Sequence, residues 1–214
     1  MTKPIVIVGA GGFGREVIDV VDAINAQAAA PEWEIVGVVD DSPTEINLKH
    51  LERRGTPFLG GTEKPFSWPE PVYYVVGIGN PRVRRLIADR YDAAHLKAAT
   101  LVHPAVTQGF DVRIGAGSVV CAGVRLTTNI SLGRHVHLNL NVTVGHDTTL
   151  EDFVSVNPLA SISGDCVIED DVLVGVAGVV LNGLTVGRGA TVGGSACVVR
   201  DVTPGLVVKG VPAK

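Results

Sequence analysis

From Ile114 onward, every sixth residue is aliphatic: Ile114, Val120, Leu126, Leu132, Leu138, Val144, Leu150, Val156, Ile162, Ile168, Val174, Val180, Val186, Val192 and Val198. If aliphatics filled about a third of the segment, chance would produce that run with odds on the order of 10⁻⁷, and a six-residue apolar period is a signature of parallel β-helices. The fourth residue after each aliphatic is mostly small or apolar, as at Val124, Ile130, Val136, Val142, Val154, Ala160, Cys166, Val172, Ala190 and Ala196. Glycine often follows the aliphatic directly, at Gly115, Gly133, Gly145, Gly175, Gly187 and Gly193. This pattern predicts very short strands joined by glycine-assisted bends. The aliphatic positions are then core and carry no chemistry.

Residues 1–103 follow another rule. Ile5-Val6-Ile7-Val8 is a continuous β-branched run, as expected of a strand buried on both faces. Val17, Ile18, Val20, Val21 and Ile24 then recur at helical spacing. Strands are predicted over Ile35–Val39 and Val72–Val76, and Pro81 suits the first turn of a helix carrying Arg82, Arg85 and Leu86. Strand–helix alternation predicts a small parallel sheet. The expected division is an α/β Rossmann-like half-domain over residues 1–103 and an all-β helix over residues 104–214.

Composition narrows the function. The chain has 214 residues and a formal charge of −4, which argues against nucleic acid as the main partner. Charged residues are 19% and aromatics 5%, with 26 glycines, a profile of close backbone packing rather than disorder. The 3 cysteines, Cys121, Cys166 and Cys197, make no metal spacing and no disulfide framework, so a reducing cytoplasm is expected. No targeting segment or bilayer-length apolar stretch is visible, and a soluble protein is expected.

Two segments carry candidate chemistry. Gly9-Ala10-Gly11-Gly12-Phe13-Gly14 fits G-x-G-x-x-G between a strand and a helix, where backbone N–H groups can approach a phosphate. Asp40 ends the next strand, placed to hydrogen-bond a sugar or base. NAD is the first candidate ligand for such a motif. The half-domain, however, has room for about one mononucleotide-binding unit rather than two. A nucleotide-linked ligand is preferred, with a purely structural turn as the other reading. Arg82, Arg84 and Arg85 are expected on a solvated helix face, with one available to a pyrophosphate.

In the second half, Gly133 to Asp147 holds three of the six histidines. Spacings of two (His135 to His137) and nine (His137 to His146) do not match the paired-histidine pattern of β-helical zinc enzymes, and no metal is expected. General-base catalysis is the alternative, since neutral imidazole takes a proton near pH 7 and a carboxylate can hold its tautomer. His146-Asp147 supplies both groups. Neighbours in an extended chain point opposite ways, so the pair can meet only at a corner. An exposed surface histidine is the bland reading. In an 18-residue register, Gly164 lies beside His146. This predicts an open channel and a backbone N–H free to bind a thioester carbonyl. Pro158, Val176 and Gly194 form a second low row suited to a pantetheine arm.

Taken together, these motifs make the chain resemble the sialic acid O-acetyltransferase-like family of hexapeptide-repeat acyltransferases. Close relatives would be bacterial N-acetyltransferases of nucleotide-linked 4-amino sugars. The resemblance rests on Gly9 to Gly14, Asp40-Asp41, Ile78-Gly79-Asn80, His103-Pro104, Asn139 through His146-Asp147, Ser163-Gly164, and Val208 through Lys214. It implies a left-handed parallel β-helix with three hexads per turn, a homotrimer, and acetyl-CoA lying in clefts between adjacent β-helices. It implies His146 as base with Asp147 as its partner. Ser155, Gly164, Val176, Gly194, Lys209 and Lys214 would contact the CoA. Gly11, Gly12, Phe13, Asp40, Asp41, Gly79 and Asn80 would hold the nucleotide-sugar. The implied reaction is N-acetylation of a nucleotide-linked 4-amino-(4,6-dideoxy) sugar by direct attack. The alternatives are O-acetylation of a sugar or sialic acid hydroxyl, and a non-catalytic sugar-nucleotide-binding trimer. Ser155 stands where some relatives carry a second histidine, which leaves His146 alone as the base.

Overall fold

The computed structural model describes residues 2–214. The chain forms two compact units, Met1–Gly79 with Val83–Pro104, and Asn80–Arg82 with Ala105–Lys214.

The first unit is a parallel five-stranded sheet. Its elements are β1 (Lys3–Val8), α1 (Gly12–Gln27), β2 (Trp33–Val39), α2 (Glu45–Arg54), β3 (Phe58–Gly60), β4 (Tyr73–Val76), α3 (Pro81–Ala93) and β5 (Lys97–Ala98), in sheet order β3-β2-β1-β4-β5. The β-branched run Ile5–Val8 is wholly buried, as a central parallel strand requires. Val6, Val8, Val39, Tyr74 and Val76 pack with Ile87 and Tyr91 of α3 in one core. Tyr74 and Tyr91 meet edge to face at 4.8 Å. Helix α2, absent from the sequence-level pattern, is fixed locally. Thr44 accepts a hydrogen bond from the Asn47 N–H at its start, and left-handed Gly55 ends it.

Arg84 departs from expectation. It is fully buried, and its Nη1 donates to the Ile78 carbonyl at 2.8 Å and the Gly79 carbonyl at 3.3 Å. It therefore ties down the loop after β4 rather than joining a solvated face. Arg82 is exposed and Arg85 half-buried.

The second unit is a left-handed β-helix whose two-residue strands stack in three parallel sheets. Register pairs such as Thr143↔Ser161 and His137↔Ser155 place residues 18 apart on top of one another. From Val120 to Val198 every sixth-position aliphatic is buried, while Ile114, in the first coil, is half-buried. Polar intruders into the core are satisfied locally. The Thr148 hydroxyl donates to the Ser163 carbonyl and accepts from the Cys166 N–H, and Ser118 makes the equivalent pair with Gly133 and Val136.

The bends differ from those predicted. The glycines that follow the aliphatics do not adopt positive φ. A Cβ there would strike the next coil, as at Gly115 against Gly133 and Gly145 against Gly164. The corners turn instead at every sixth residue from Asp111 to Ser195, each left-handed: Asp111, Gly117, Gly123, Asn129, His135, Asn141, Asp147, Phe153, Leu159, Asp165, Asp171, Ala177, Gly183, Gly189 and Ser195. Asp, Asn and Gly dominate because they tolerate that conformation best. Beyond Val198 the coil tightens: Val202 bridges Val186, and Val207–Val208 pairs with Thr191–Val192.

Candidate active site

Each corner residue turns the chain sharply, and this resolves the geometric question at His146. Asp147 has φ 57°, so its side chain swings to the same side as that of its neighbour. His146 Nδ1 lies 2.8 Å from Asp147 Oδ2. The other oxygen, Oδ1, accepts from the Asn129 side-chain amide at 2.8 Å, one coil below. These two bonds, with Asn129 contributing most, hold the Asp147 carboxyl below the usual carboxylate range. An ionised Asp147 accepts a hydrogen bond from Nδ1–H, which leaves Nε2 with the free lone pair. Both His146 and Asp147 are exposed, so the pair faces solvent.

Gly164 lies beside His146 as the register predicted, but the space is filled. A Cβ at Gly164 would come within about 2.5 Å of His146 Nε2. The glycine makes room for the imidazole rather than leaving an open channel. Among the described residues its N–H donates to no backbone carbonyl, whereas Ser163 and Asp165 on either side donate to Val180 and His146.

Asp165 completes a cluster in which ligand atoms of His146, Asp147 and Asp165 lie within 4.8 Å of one another. A cation held at Nδ1 would have to displace the hydrogen bond that pairs His146 with Asp147. The atoms present therefore suit a proton-transfer pair better than a metal site.

The other β-helix candidates fall elsewhere. Val176 and exposed Gly194 stack on one another, but they precede the Ala177 and Ser195 corners, a different edge of the prism from His146 and Gly164. Ser155 is only 1% exposed, on a strand directly beside His137, so its side chain is not on the surface expected of a cofactor contact. His137 is likewise buried, and His135 is buried flat against Phe153 at 5.0 Å. Lys209 and Lys214 are exposed, and their backbones hydrogen-bond each other in both directions, which folds the tail back on itself.

In the first unit the glycines of the motif separate into two kinds. Gly14 and Gly77 sit against one another so closely that any Cβ would collide, and a Cβ on Gly14 would also overlap the Gly9 carbonyl. Gly11, Gly12 and Gly79 have nothing within 4 Å of a built Cβ. Internal packing explains the first kind and leaves the second open to an approaching ligand. Phe13 is half-buried, and Asn80 is exposed just before α3.

The two carboxylates are engaged by the chain itself. Asp40 accepts from the Ala10 N–H at 2.8 Å and the Ser42 N–H at 2.9 Å, so it pins the glycine loop. Asp41 accepts from the Thr62 N–H at 2.7 Å and its hydroxyl at 2.9 Å. The Thr62 N–H is the main cause of a lowered Asp41 pKa. The Thr62 carbonyl in turn accepts from the buried Tyr91 hydroxyl, whose pKa burial raises. Beside them is a cavity of about 190 Å³, lined by Asp40, Asp41 and Ser42 on one side and by Ile78, Val83 and Ile87 on the other. It lies at the carboxyl ends of the strands, where open α/β sheets take ligands. Sequence reading found the acids but missed this apolar wall and Thr62. It also missed Asn129, although Asn129 lies 18 residues before Asp147 in the Asp/Asn/Gly phase of the repeat.

Residues 4–91 match the PglD N-terminal domain family. GDP-perosamine N-acetyltransferase of Escherichia coli O157:H7 is 30% identical over 214 residues, covering 97% of this chain and 94% of that protein. The acetyltransferase domain of PglB from Neisseria gonorrhoeae superposes with TM-score 0.85 at 29% identity, over 100% of this chain and 99% of that one. A mutant perosamine N-acetyltransferase from Caulobacter crescentus, solved with CoA and GDP-perosamine, gives TM-score 0.87 at 26% identity, over 100% and 97%. Among the described residues no helix is long and apolar enough to cross a membrane. The chain belongs to the sialic acid O-acetyltransferase-like family of hexapeptide-repeat acyltransferases, and is an acetyltransferase of the kind represented by these sugar-modifying relatives.

Proposed function

We propose that the protein transfers the acetyl group of acetyl-CoA to the amino group of a nucleotide-linked 4-amino-(4,6-dideoxy) sugar, with His146 as general base. The exposed His146–Asp147 pair, joined at 2.8 Å with Nε2 turned toward Gly164, carries this reading. Nε2 takes a proton from the sugar amine as its nitrogen bonds to the thioester carbon. The Gly164 N–H donates to the oxyanion that develops. Collapse breaks the C–S bond, and the imidazolium returns the proton to the departing thiolate, leaving an amide and free CoA thiol. Direct attack needs no acyl-enzyme, and the cysteine chemistry one would use is not set up. Cys166, the nearest cysteine in sequence, is fully buried, its thiol donates to the Leu181 carbonyl, and burial pushes its pKa up.

The C. crescentus relative, solved with CoA and GDP-perosamine, supports the donor and acceptor class. In the first unit, the unobstructed Gly11 and Gly12 with Phe13 would meet the phosphates. The 190 Å³ cavity would take the base, with Asp40 and Asp41 at its polar side; Gly79 and Asn80, which follow Ile78 of its wall in the chain, would also contact the nucleotide-sugar. Because Val176 and Gly194 lie on a different edge from His146, the CoA arm would run between the His146 edge of one copy and the Val176 edge of another. That arrangement favours a homotrimer. Lys209 and Lys214 would then meet the nucleotide end of CoA. CoA thioesters and nucleotide-linked sugars are cytoplasmic metabolites, and we place the protein there.

The test is CoA thiol release from acetyl-CoA with UDP-, dTDP- and GDP-linked 4-amino sugars. Two of the protein's cysteines are buried and Cys197 is half-buried, which keeps the protein's own signal low. One amino sugar should support release, and His146→Ala should lower kcat at least about 10²-fold, the scale of general-base catalysis. Release only with hydroxyl acceptors would replace the amine by an alcohol. Undiminished turnover in His146→Ala would remove His146 from the mechanism.

A further inference from the structure

We propose that Asn129 is a positioning residue of this active site, its side-chain amide holding Asp147 so that Asp147 can hold the His146 imidazole. This rests on the general-base reading of His146 above.

The geometry divides the Asp147 carboxylate in two. Oδ1 takes the Asn129 amide at 2.8 Å and Oδ2 takes His146 Nδ1 at 2.8 Å. A carboxylate oxygen only accepts, so the Asn129 amide must present its NH₂ there, and its orientation is fixed by chemistry. With one oxygen anchored, the carboxylate cannot rotate without breaking a charge-assisted bond, so the imidazole is held at the angle that aims Nε2 at Gly164. The backbone reinforces this. The Asp147 N–H donates to the Thr128 carbonyl at 3.0 Å, and the Asp165 N–H donates to the His146 carbonyl at 2.8 Å.

The fold alone does not ask for an amide at 129. The row through this corner reads Asp111, Asn129, Asp147, Asp165 and Gly183, all left-handed. The repeat demands only a residue that tolerates that conformation, and it uses Asp and Gly freely. Asparagine is the member of the row that can donate to Asp147. Aspartate there would set two carboxylates face to face. Among the described residues, the charged groups within 4 Å of His146 are Asp147 and, at 3.9 Å, Asp165; Asp111, one coil below Asn129, is paired with Arg113 at 3.1 Å.

Two variants test the role while keeping residues that the fold already accepts at its corners. Asn129→Gly deletes the amide and should melt like the parent. Its kcat should fall about ten-fold, the scale of a loosened catalytic group, with both KM values within about two-fold. Asn129→Asp keeps the size of the side chain but cannot donate to Asp147, so its kcat should fall at least as far. In Asn129→Gly the Asp147 carboxyl loses the donor that does most to lower its pKa, and its NMR titration midpoint should move upward. A corner residue that does not bond Asp147 would leave that midpoint where it is. Parent-like kcat in Asn129→Gly, or an unmoved Asp147 midpoint in the same variant, overturns the proposal. The NMR titration needs no substrate. If wild type proves inactive with every acceptor, the acetyl-transfer reading fails separately, and the midpoint still decides whether Asn129 acts through Asp147.

Discussion

Glycine at the strand ends of the first unit and glycine at the corners of the second do different work. In the first, Gly9, Gly14 and Gly77 form one contact at which the start of α1 presses onto the ends of β1 and β4, with no room for a methyl group. In the second, Gly117, Gly123, Gly183 and Gly189 occupy corners where Asp, Asn, Ser and even Leu stand in other coils. The first unit depends on a few unique close approaches. The β-helix has close approaches of its own, at the glycines that follow its aliphatics, but its corners repeat one conformational requirement many times, and several residue types willing to turn left meet it. A β-helix can therefore vary a corner without endangering its fold, as we propose it does for chemistry at His146-Asp147, whereas the glycine motif has little such freedom.

Gly14→Ala is the largest expected break. Its Cβ would overlap the Gly9 carbonyl, a backbone atom that cannot step aside. Helix α1 must shift, at a cost on the order of 3 kcal/mol. The melting of the first unit should drop by about 10 °C or more. A parent-like melting curve would mean that the glycine contact is not tight in solution.

Gly164→Ala separates a third kind of glycine. Its Cβ meets the far end of the His146 side chain, which can swing away, so stability should change little. The imidazole would leave its position, and kcat should fall at least about ten-fold with KM for acetyl-CoA nearly unchanged. A selective rise in KM would instead indicate that the glycine clears a path for CoA, as the sequence alone suggests.

Much of this was legible in the chain. The aliphatic period marked the β-helical strands from Ile114 to Val198, because a buried position repeated at fixed spacing tolerates only a narrow set of side chains. The strands Ile5–Val8 and Ile35–Val39 were equally plain. The corners were less so. Their phase is signalled by Asp, Asn and Gly, but His135, Phe153, Leu159 and Ala177 interrupt it, since conformation rather than burial is being selected. Asp40 and Asp41 stand out in the sequence as candidate ligand groups, but a sequence shows a carboxylate and not the donors that hold it. The donors, Ala10 and Thr62, are 30 and 21 residues away. Arg84 looked solvated for the same reason: its carbonyl partners exist only once the loop after β4 is folded.

Asn141 sharpens the corner side of the comparison. It is exposed with φ 59°. Asn141→Gly should change stability by less than about 0.5 kcal/mol, the lost restriction of the unfolded chain offsetting the easier turn. Asn141→Val puts a β-branched residue in the left-handed region and should cost about 1–2 kcal/mol. Equal effects from the two would show that the corner selects for side-chain contacts instead of backbone conformation.

A smaller effect than that of Asn141→Val belongs to Asp41, whose bonds to Thr62 join the ends of β2 and β3. Its pKa is lowered from 3.8, chiefly by the Thr62 N–H and against a smaller opposing push from burial. The sign follows from linkage: the ionised, hydrogen-bonded form stabilises the fold above the ordinary carboxylate pKa, and that contribution is lost as pH falls through the lower folded value. Asp41 lies near the surface, where solvent screens it, so Asp41→Asn should cost less than about 1 kcal/mol at neutral pH. Urea unfolding at pH 7 should separate the two proteins, and the gap should narrow steadily with acidification below about pH 4 as the wild-type carboxylate takes up its proton. A gap that persists undiminished in acid would assign the contribution to the shape of the side chain and not to its charge. The end of β2 would then join the glycine contact as a site fixed by packing.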